Sequence, residues 1–265
     1  MIAAPQGESA MLEMTRYTSA VLPALFASAL IAAPASADTL LGVSAGVGQW
    51  QTEYIGNVGS APVDFNDLNI NEETNNTYFI VLEHPLPILP NIRIQHVSLE
   101  TQSEAMLNEG FVFDDIAFPA GENVVTDIDL SHTDAILYYE VLDNWVNLDL
   151  GLTLRAFEGD ASVSSASTSL TETVELDAII PMLYGKAKFD LPLTGWSIAA
   201  SANVISYDSN SLNDYSAAIA YNSNLLIVFD LGVELGYRSM RLELDEHINT
   251  DVELTGPYAS FTVNF

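Results

Sequence analysis

The chain has 265 residues, with 7 Lys+Arg against 36 Asp+Glu and a formal net charge of −29, yet 49% of it is hydrophobic and its mean hydropathy is +0.21. So few bases exclude nucleic acid as a partner, because phosphate binding draws on Lys and Arg. The absence of cysteine excludes a disulfide scaffold, a thiolate zinc site and thiol catalysis.

From Met14 the chain carries Arg16, then an apolar run over 20–33, then Ala35-Ser36-Ala37. This is the pattern of a secretory signal peptide, cleaved between Ala37 and Asp38. The run is shorter than the ~18–20 residues that a helical span needs. Glu8 and Glu13 do not suit a positive n-region, so translation is expected to start at Met14 or Met11. The chain therefore divides into a signal peptide, 1–37, and one domain, 38–265.

Beyond the signal the dominant feature is alternation with period two. Over 146–154 the even positions are Val146, Leu148, Leu150, Leu152 and Leu154, while the odd ones include Asn147, Asp149, Gly151 and Thr153. Over 227–237 the odd positions are all apolar, and Asp230, Gly232, Glu234 and Gly236 fall between them. These faces run through about 11 residues, the length of a tilted strand crossing a bilayer and about twice that of an ordinary soluble strand. Taken in chain order, strands are predicted over 39–55, 73–84, 91–103, 125–141, 145–158, 173–189, 196–208, 212–222, 226–244 and 253–265. Ten is an even number, as single-chain bacterial barrels require; eight would need two clear strands to be demoted. Phe111–Phe113 and Ile116–Phe118 are predicted to form at most a small hairpin outside the membrane.

The predicted connections are mostly long at one end (56–72, 104–124, 159–172) and tight at the other (85–90, 142–144, 190–195), the arrangement of an up-and-down transmembrane barrel. Trp145, Phe189, Trp196, Tyr221 and Phe265 fall near the tight turns, where an interfacial girdle is expected. At the C-terminus Phe261, Val263 and Phe265 share one face, and the chain stops on the aromatic. This resembles the signal read by the outer-membrane assembly machinery.

The stretches Ala37–Gly42, Leu82–His96, Asp129–Leu152, Ile180–Gly195 and Gly256–Phe265 resemble an uncharacterised family of Gram-negative outer-membrane β-barrel proteins. The resemblance covers essentially all of 38–265. It implies location and architecture, and it carries no catalytic residue over.

Candidate chemistry is sparse. His132 and Asp134 share a strand face, and ten-strand outer-membrane proteases of the omptin type use Asp and His near the barrel mouth. A Ser131–His132 nucleophilic pair is disfavoured, since neighbours on one strand point to opposite faces. Arg93, Asp149, Arg155, Lys186, Lys188, Asp230, Glu234 and Arg238 are assigned to the lumen as a network of cross-strand ion pairs, because buried charges must be paired and a ten-strand lumen is narrow. Most of the acids, Asp208 and Asp214 among them, are assigned to the end bearing the long connections. Asp114, Asp115, Asp245 and Glu246 are the candidates there for loosely bound divalent cations. No run matches an EF-hand spacing, so no dedicated metal site or other cofactor is expected.

The function these readings support is an outer-membrane integral barrel with a structural or surface-interaction role, acidic extracellular loops and no catalysis. Its partners would be outer-membrane lipid, lipopolysaccharide and the assembly machinery. The alternatives are a narrow cation-preferring pore and an omptin-like hydrolase using His132 and Asp134. N-terminal sequencing of the protein recovered from cell envelopes should begin at Asp38; a sequence that begins at Met14 or earlier would show that the leader is retained.

Overall fold

A computed structural model describes residues 41–59, 62–165, 167–223, 230–246 and 248–265. The signal segment and the Ala37–Asp38 cleavage pair lie outside the described residues. The strands are β1 (Gly42–Val58), β2 (Val63–Asp64), β3 (Glu73–Glu83), β4 (Asn91–Val97), β5 (Glu100–Met106), β6 (Phe111–Phe113), β7 (Ile116–Phe118), β8 (Asn123–Asp129), β9 (His132–Leu142), β10 (Val146–Ser165), β11 (Thr171–Asp190), β12 (Trp196–Tyr207), β13 (Asn210–Ser223), β14 (Asp230–Glu246) and β15 (Ile248–Asn264). Among the described residues ten of them close a fully antiparallel barrel in the order β1, β3, β4, β9, β10, β11, β12, β13, β14, β15 and back to β1. The closing seam joins the two ends of the chain, with Ser44 opposite Asn264 and Val58 opposite Thr250.

Alternation fixes the two faces, but their polarity is not constant along a strand. On β11 the outward positions run from Leu183 and Ile179, both exposed, to Asp177 and Glu175. The inward positions run the other way, from Lys188 and Lys186 to Met182, Ile180 and Ala178, which are buried. β14 repeats this, with Val233, Leu235 and Tyr237 outside, then Arg241, while Glu234 and Arg238 inside give way to Met240 and Leu242. The outer wall is therefore apolar over about 10 residues of the long strands β10 and β11, or ~25 Å once tilt is allowed for, and polar beyond. An apolar outer belt over a polar interior is the surface of a barrel embedded in a membrane.

Aromatics mark both edges of that belt. At the tight-turn edge Trp145 meets Phe189 edge-on at 5.2 Å, and Trp196 lies 5.0 Å from Tyr221. At the other edge stand Tyr78, Tyr215 and Tyr237, all exposed. This second girdle follows from the same parity, although composition near the turns points only to the first.

Beyond the belt the strands continue, and this is where the structure departs from the pattern. β10 and β11 are each 20 residues long, so most of the loop expected over 159–172 is strand. Polar residues outside and apolar ones inside reverse the lipid-facing signature, which is why this extension does not read as wall. The predicted strands 91–103 and 125–141 are each interrupted, at Ser98-Leu99 and at Leu130-Ser131. Register survives the interruption: Val97 faces His132 below it and Glu100 faces Asp129 above it. Leu130 N–H donates to the Leu99 carbonyl (2.8 Å) and Leu99 N–H to Ser131 Oγ (3.0 Å), so the break is a fastened kink.

At this end β3 has already stopped, and β5 pairs only with β8. The gap is filled by the connection after β1, which brings Phe65, Leu68 and Ile70 inside. Asn69 Nδ2 donates to the Glu104 carbonyl on the open edge of β5 (3.3 Å). The small hairpin β6–β7 forms, and its aromatics turn inward: Phe111 stacks on Phe118 at 5.4 Å, and both are buried with Phe113. Together with Leu107, Val124, Val163 and Leu254 they make a continuous apolar core inside the projecting end of the barrel. Glu122 accepts from the Ser165 and Ser167 hydroxyls, which tie this lobe to the β10–β11 connection and hold the carboxyl below the usual carboxylate range.

Close strand approach makes Gly151 a strict glycine. A Cβ on Gly151 would stand 2.1 Å from the Leu137 carbonyl oxygen and 2.7 Å from Tyr138 Cα, whereas one on Gly185 would meet only Leu150 Cδ2 at 3.7 Å. Gly151→Ala should therefore lower the stability of the folded barrel by about 1–3 kcal/mol. Gly185→Ala should leave it within about 0.5 kcal/mol. Urea unfolding in detergent, read by tryptophan fluorescence, checks both.

Candidate functional site

The interior is layered along the barrel axis. From the tight-turn end there is first a polar cavity of about 370 Å³, then a sealed layer of charge, then the apolar core.

The charged layer is built from four strands. Arg155 on β10 is completely buried (0% exposed), as is Asp134 (1%), its partner in register on β9. Arg155 Nε and Nη2 donate to Asp134 Oδ1 and Oδ2 at 2.8 Å each, a bidentate pair. The same Nη2 reaches across the lumen to Asp214 Oδ2 on β13 at 2.6 Å, and Nη1 meets Met240 Sδ at 3.2 Å. Arg238 on β14 holds Asp214 from the other side, through Nε (2.9 Å) and Nη2 (2.6 Å). Trp50 covers the Arg238 guanidinium at 4.6 Å and donates its indole N–H to the Gly256 carbonyl (3.2 Å). Two guanidiniums and two carboxylates make the layer neutral as a whole.

Arg155 and Arg238, two of the residues assigned to a lumenal ion-pair network, thus belong to this layer. Their acids are Asp134 and Asp214. The place assigned to Asp214, among the acids of the long-connection end, is corrected: it is buried between two arginines. The signal for it is parity, because Asp214 shares the face of Ser216, Ala218 and Ala220 and is flanked by outward Tyr215.

The remaining assigned charges do not join that layer. Arg93, Asp149, Lys186, Lys188 and Glu234 line the cavity, together with Glu83. Asp149 and Lys186 are register partners on β10 and β11. Lys188 pairs with Asp190 at 2.9 Å. Arg93 turns to neutral partners, donating to Gln95 Oε1 (2.7 and 3.2 Å) and lying 4.0 Å over the Phe79 ring. Tyr138 and Tyr258 donate their hydroxyls to Glu83 (2.8 Å) and Glu234 (2.7 Å). Glu83 and these tyrosines are cavity-lining positions that charge counting passed over. Asp230 is half-buried at the tight-turn end, opposite Asn264. The cavity is lopsided: β12 and β13 line it mainly with small side chains, Ser197, Ala199, Ser201, Ser216, Ala218 and Ala220, while the other strands bring large ones such as Phe79, Arg93, Tyr138, Tyr184 and Tyr258.

His132 and Asp134 both point inward, but they do not form a His–Asp pair. Asp134 is engaged by Arg155. The His132 ring lies 5.2 Å from Phe157, its Nδ1 contacts the Leu130 carbonyl (3.0 Å), and its Nε2 has no hydrogen-bond partner among the described residues. Neither residue lines the cavity. The Ser131 hydroxyl accepts from the Leu99 amide at the kink and faces away from the His132 ring.

On the outer wall, Phe261 and Phe265 are exposed, and the Phe265 amide donates to the Val43 carbonyl (2.8 Å) at the seam. Asp114 and Asp115 lie in the turn of the β6–β7 hairpin, Asp245 and Glu246 at the end of β14. A denser set stands just above the belt. Glu100 faces Asp129 and Asp160 faces Glu175 in register, and one step below the Ala161–Ile128 pair Asp129 neighbours Asp160. Four acids thus form one cross-strand row, with Glu158 opposite Asp177 beneath it. Among the described residues no three His, Asp or Glu are gathered as a metal site.

Comparison with known protein families and with characterised proteins finds no match. Among solved structures the chain is similar to the transport unit of the autotransporter AIDA-I from Escherichia coli, at 10% identity and a TM-score of 0.40, over 99% of this chain and 98% of that one. It is also similar to the CymD monoaromatic hydrocarbon channel, at 11% identity and a TM-score of 0.33, over 84% of this chain and 68% of that one. Likenesses this distant say nothing about what the chain binds or moves.

The cluster yields a specific energetic expectation. Removing one member of a buried ion pair strands its partner, at a cost of about 3–5 kcal/mol, whereas replacing the set with apolar groups is close to neutral. Arg155→Met should destabilise the barrel by that amount. Adding Asp134→Leu, which leaves the neutral Arg238–Asp214 pair in place, should recover most of the loss. Urea unfolding of the single and double variants in detergent measures both.

Proposed function

We propose that the chain is an integral outer-membrane barrel of a Gram-negative envelope whose role is structural or surface-interacting. The observation that carries this reading is the closed lumen. The Arg155–Asp134–Asp214–Arg238 layer and the apolar core above it fill the barrel from the belt's upper edge to its projecting end. What such a molecule offers its surroundings is its outside: an apolar belt for lipid and an acidic projecting end. With the tight turns toward the periplasm, the row Glu100–Asp129–Asp160–Glu175 stands at lipid-headgroup height. Like charges directly opposite repel. Loosely held divalent cations between these carboxylates and lipopolysaccharide phosphates would offset that repulsion. The exposed C-terminal face of Phe261, Val263 and Phe265 supports recognition by the assembly machinery.

This reading assigns no catalysis to His132 or Asp134. A cation-preferring pore would require the charged layer to move aside, and the one-ended cavity is the feature that would serve it. In planar bilayers the refolded protein should show no steady conductance. A reproducible open level in the wild-type protein, selective for cations, would overturn the closed reading in favour of the pore.

A further inference from the structure

The apolar surface does not end at the belt. The β3–β4 connection, 84–90, reads His-Pro-Leu-Pro-Ile-Leu-Pro and exposes Leu86, Ile88 (84% exposed) and Leu89. A turn that meets water gains nothing from three exposed apolar side chains, and one that meets lipid must leave few backbone N–H groups unpaired. This turn meets the second requirement in an unusual way. Pro85, Pro87 and Pro90 have no N–H. The His84 amide donates to Asn91 Oδ1 (3.0 Å), the Leu86 amide to His84 Nδ1 (3.3 Å) and the Leu89 amide to the Leu86 carbonyl (3.3 Å). With Nδ1 accepting, the His84 ring carries its proton on Nε2, which donates to the Pro90 carbonyl (3.1 Å). The Tyr139 hydroxyl, on the lipid-facing side of β9, donates to the Ile88 carbonyl (3.0 Å). Three of the four amides in the turn, and the Leu86, Ile88 and Pro90 carbonyls, are thus paired inside the turn or against the wall, and the apolar side chains are left outside. The belt residues at the base of the turn, the register partners Leu82 and Ile92 and the Tyr139 that bonds Ile88, are exposed as well. On another sector of the same rim the 191–195 turn exposes Leu191 and Leu193, the latter held at φ 65°.

We propose that the 84–90 turn is a lipid-docking wedge, seated among the headgroups and first methylenes of the leaflet at the tight-turn end. Its occupant is bilayer lipid, identified by continuity with the belt and by a backbone with three prolines and three of its four amides paired within the turn. A periplasmic protein seated on the same residues is the competing occupant. The proposal rests on the reading of the barrel as membrane-embedded.

The chain has no cysteine, so one substitution places one environment-sensitive dye. Three labelled variants are refolded into vesicles of phosphatidylethanolamine and phosphatidylglycerol: Ile88→Cys in the turn, Leu235→Cys in the belt and Asp115→Cys at the projecting end. The Ile88→Cys dye should emit to the blue of the Asp115→Cys dye. It should be quenched by lipid carrying nitroxide near the headgroup end of the acyl chain, and it should be several-fold less open to aqueous iodide. If it is as open to iodide as the Asp115→Cys dye while the Leu235→Cys dye stays shielded, the wedge fails and a protein partner becomes the occupant to seek. If the Leu235→Cys dye is open as well, the embedded reading itself fails and the wedge with it. Gel mobility before and after heating confirms that each variant is folded.

Discussion

The two-way grip on Asp214 is the interaction on which the rest of the interior depends. Arg155 reaches it across the lumen and Arg238 from the neighbouring strand, and Arg155 also makes a bidentate pair with Asp134. Such a layer gives little net stability, because desolvation of the ions consumes most of the Coulombic gain. Its consequence is positional. β10 and β13 are tied across the lumen at a fixed separation, and the buried charges floor the cavity beneath the apolar core. The cavity becomes one-ended for that reason, and the apolar core can sit above it without contacting water from below.

That core inverts the familiar division of a membrane barrel. Within the bilayer the solvent is hydrocarbon, so apolar side chains belong outside and polar ones inside. Once the same strands leave the bilayer the solvent is water, and the hydrophobic effect drives the apolar groups inward. β11 and β14 show the exchange along a single chain segment, with side-chain direction unchanged and polarity reversed. The projecting end is thus held as a soluble β-structure is held, by Phe65, Phe111, Phe118 and Leu254 packed in a common core, while the embedded part is held by closure and by lipid.

The net charge of −29 takes its meaning from the same boundary. Carboxylates stand in a row on the wall immediately above Leu154 and Ile179, at the height where lipid headgroups would lie. At the opposite edge the turns are apolar and the aromatic pairs Trp145–Phe189 and Trp196–Tyr221 sit against the last strand residues. The two ends of the barrel therefore present contrary chemistry, one repelling acidic surfaces unless cations intervene, the other suited to the interface itself.

Alternation in the sequence determined the closed antiparallel barrel of ten strands, the lipid-facing identity of residues such as Leu150 and Leu235, and the inward direction of Arg155 and Arg238. These follow from a period of two, which is local and needs no knowledge of neighbours. Parity also points Asp214 inward, but its charge drew it toward the outer acids. Only the tertiary structure decided which charges meet. Arg155 and Asp214 are 59 residues apart and are joined across the lumen, and the same closure separates the Asp149–Lys186 pair into another layer. Nor could a local pattern disclose that Phe65 and Leu68 fill the gap left where β3 ends. Direction is written in the backbone one residue at a time, whereas partnership depends on the distance between walls, which exists only once the barrel has closed.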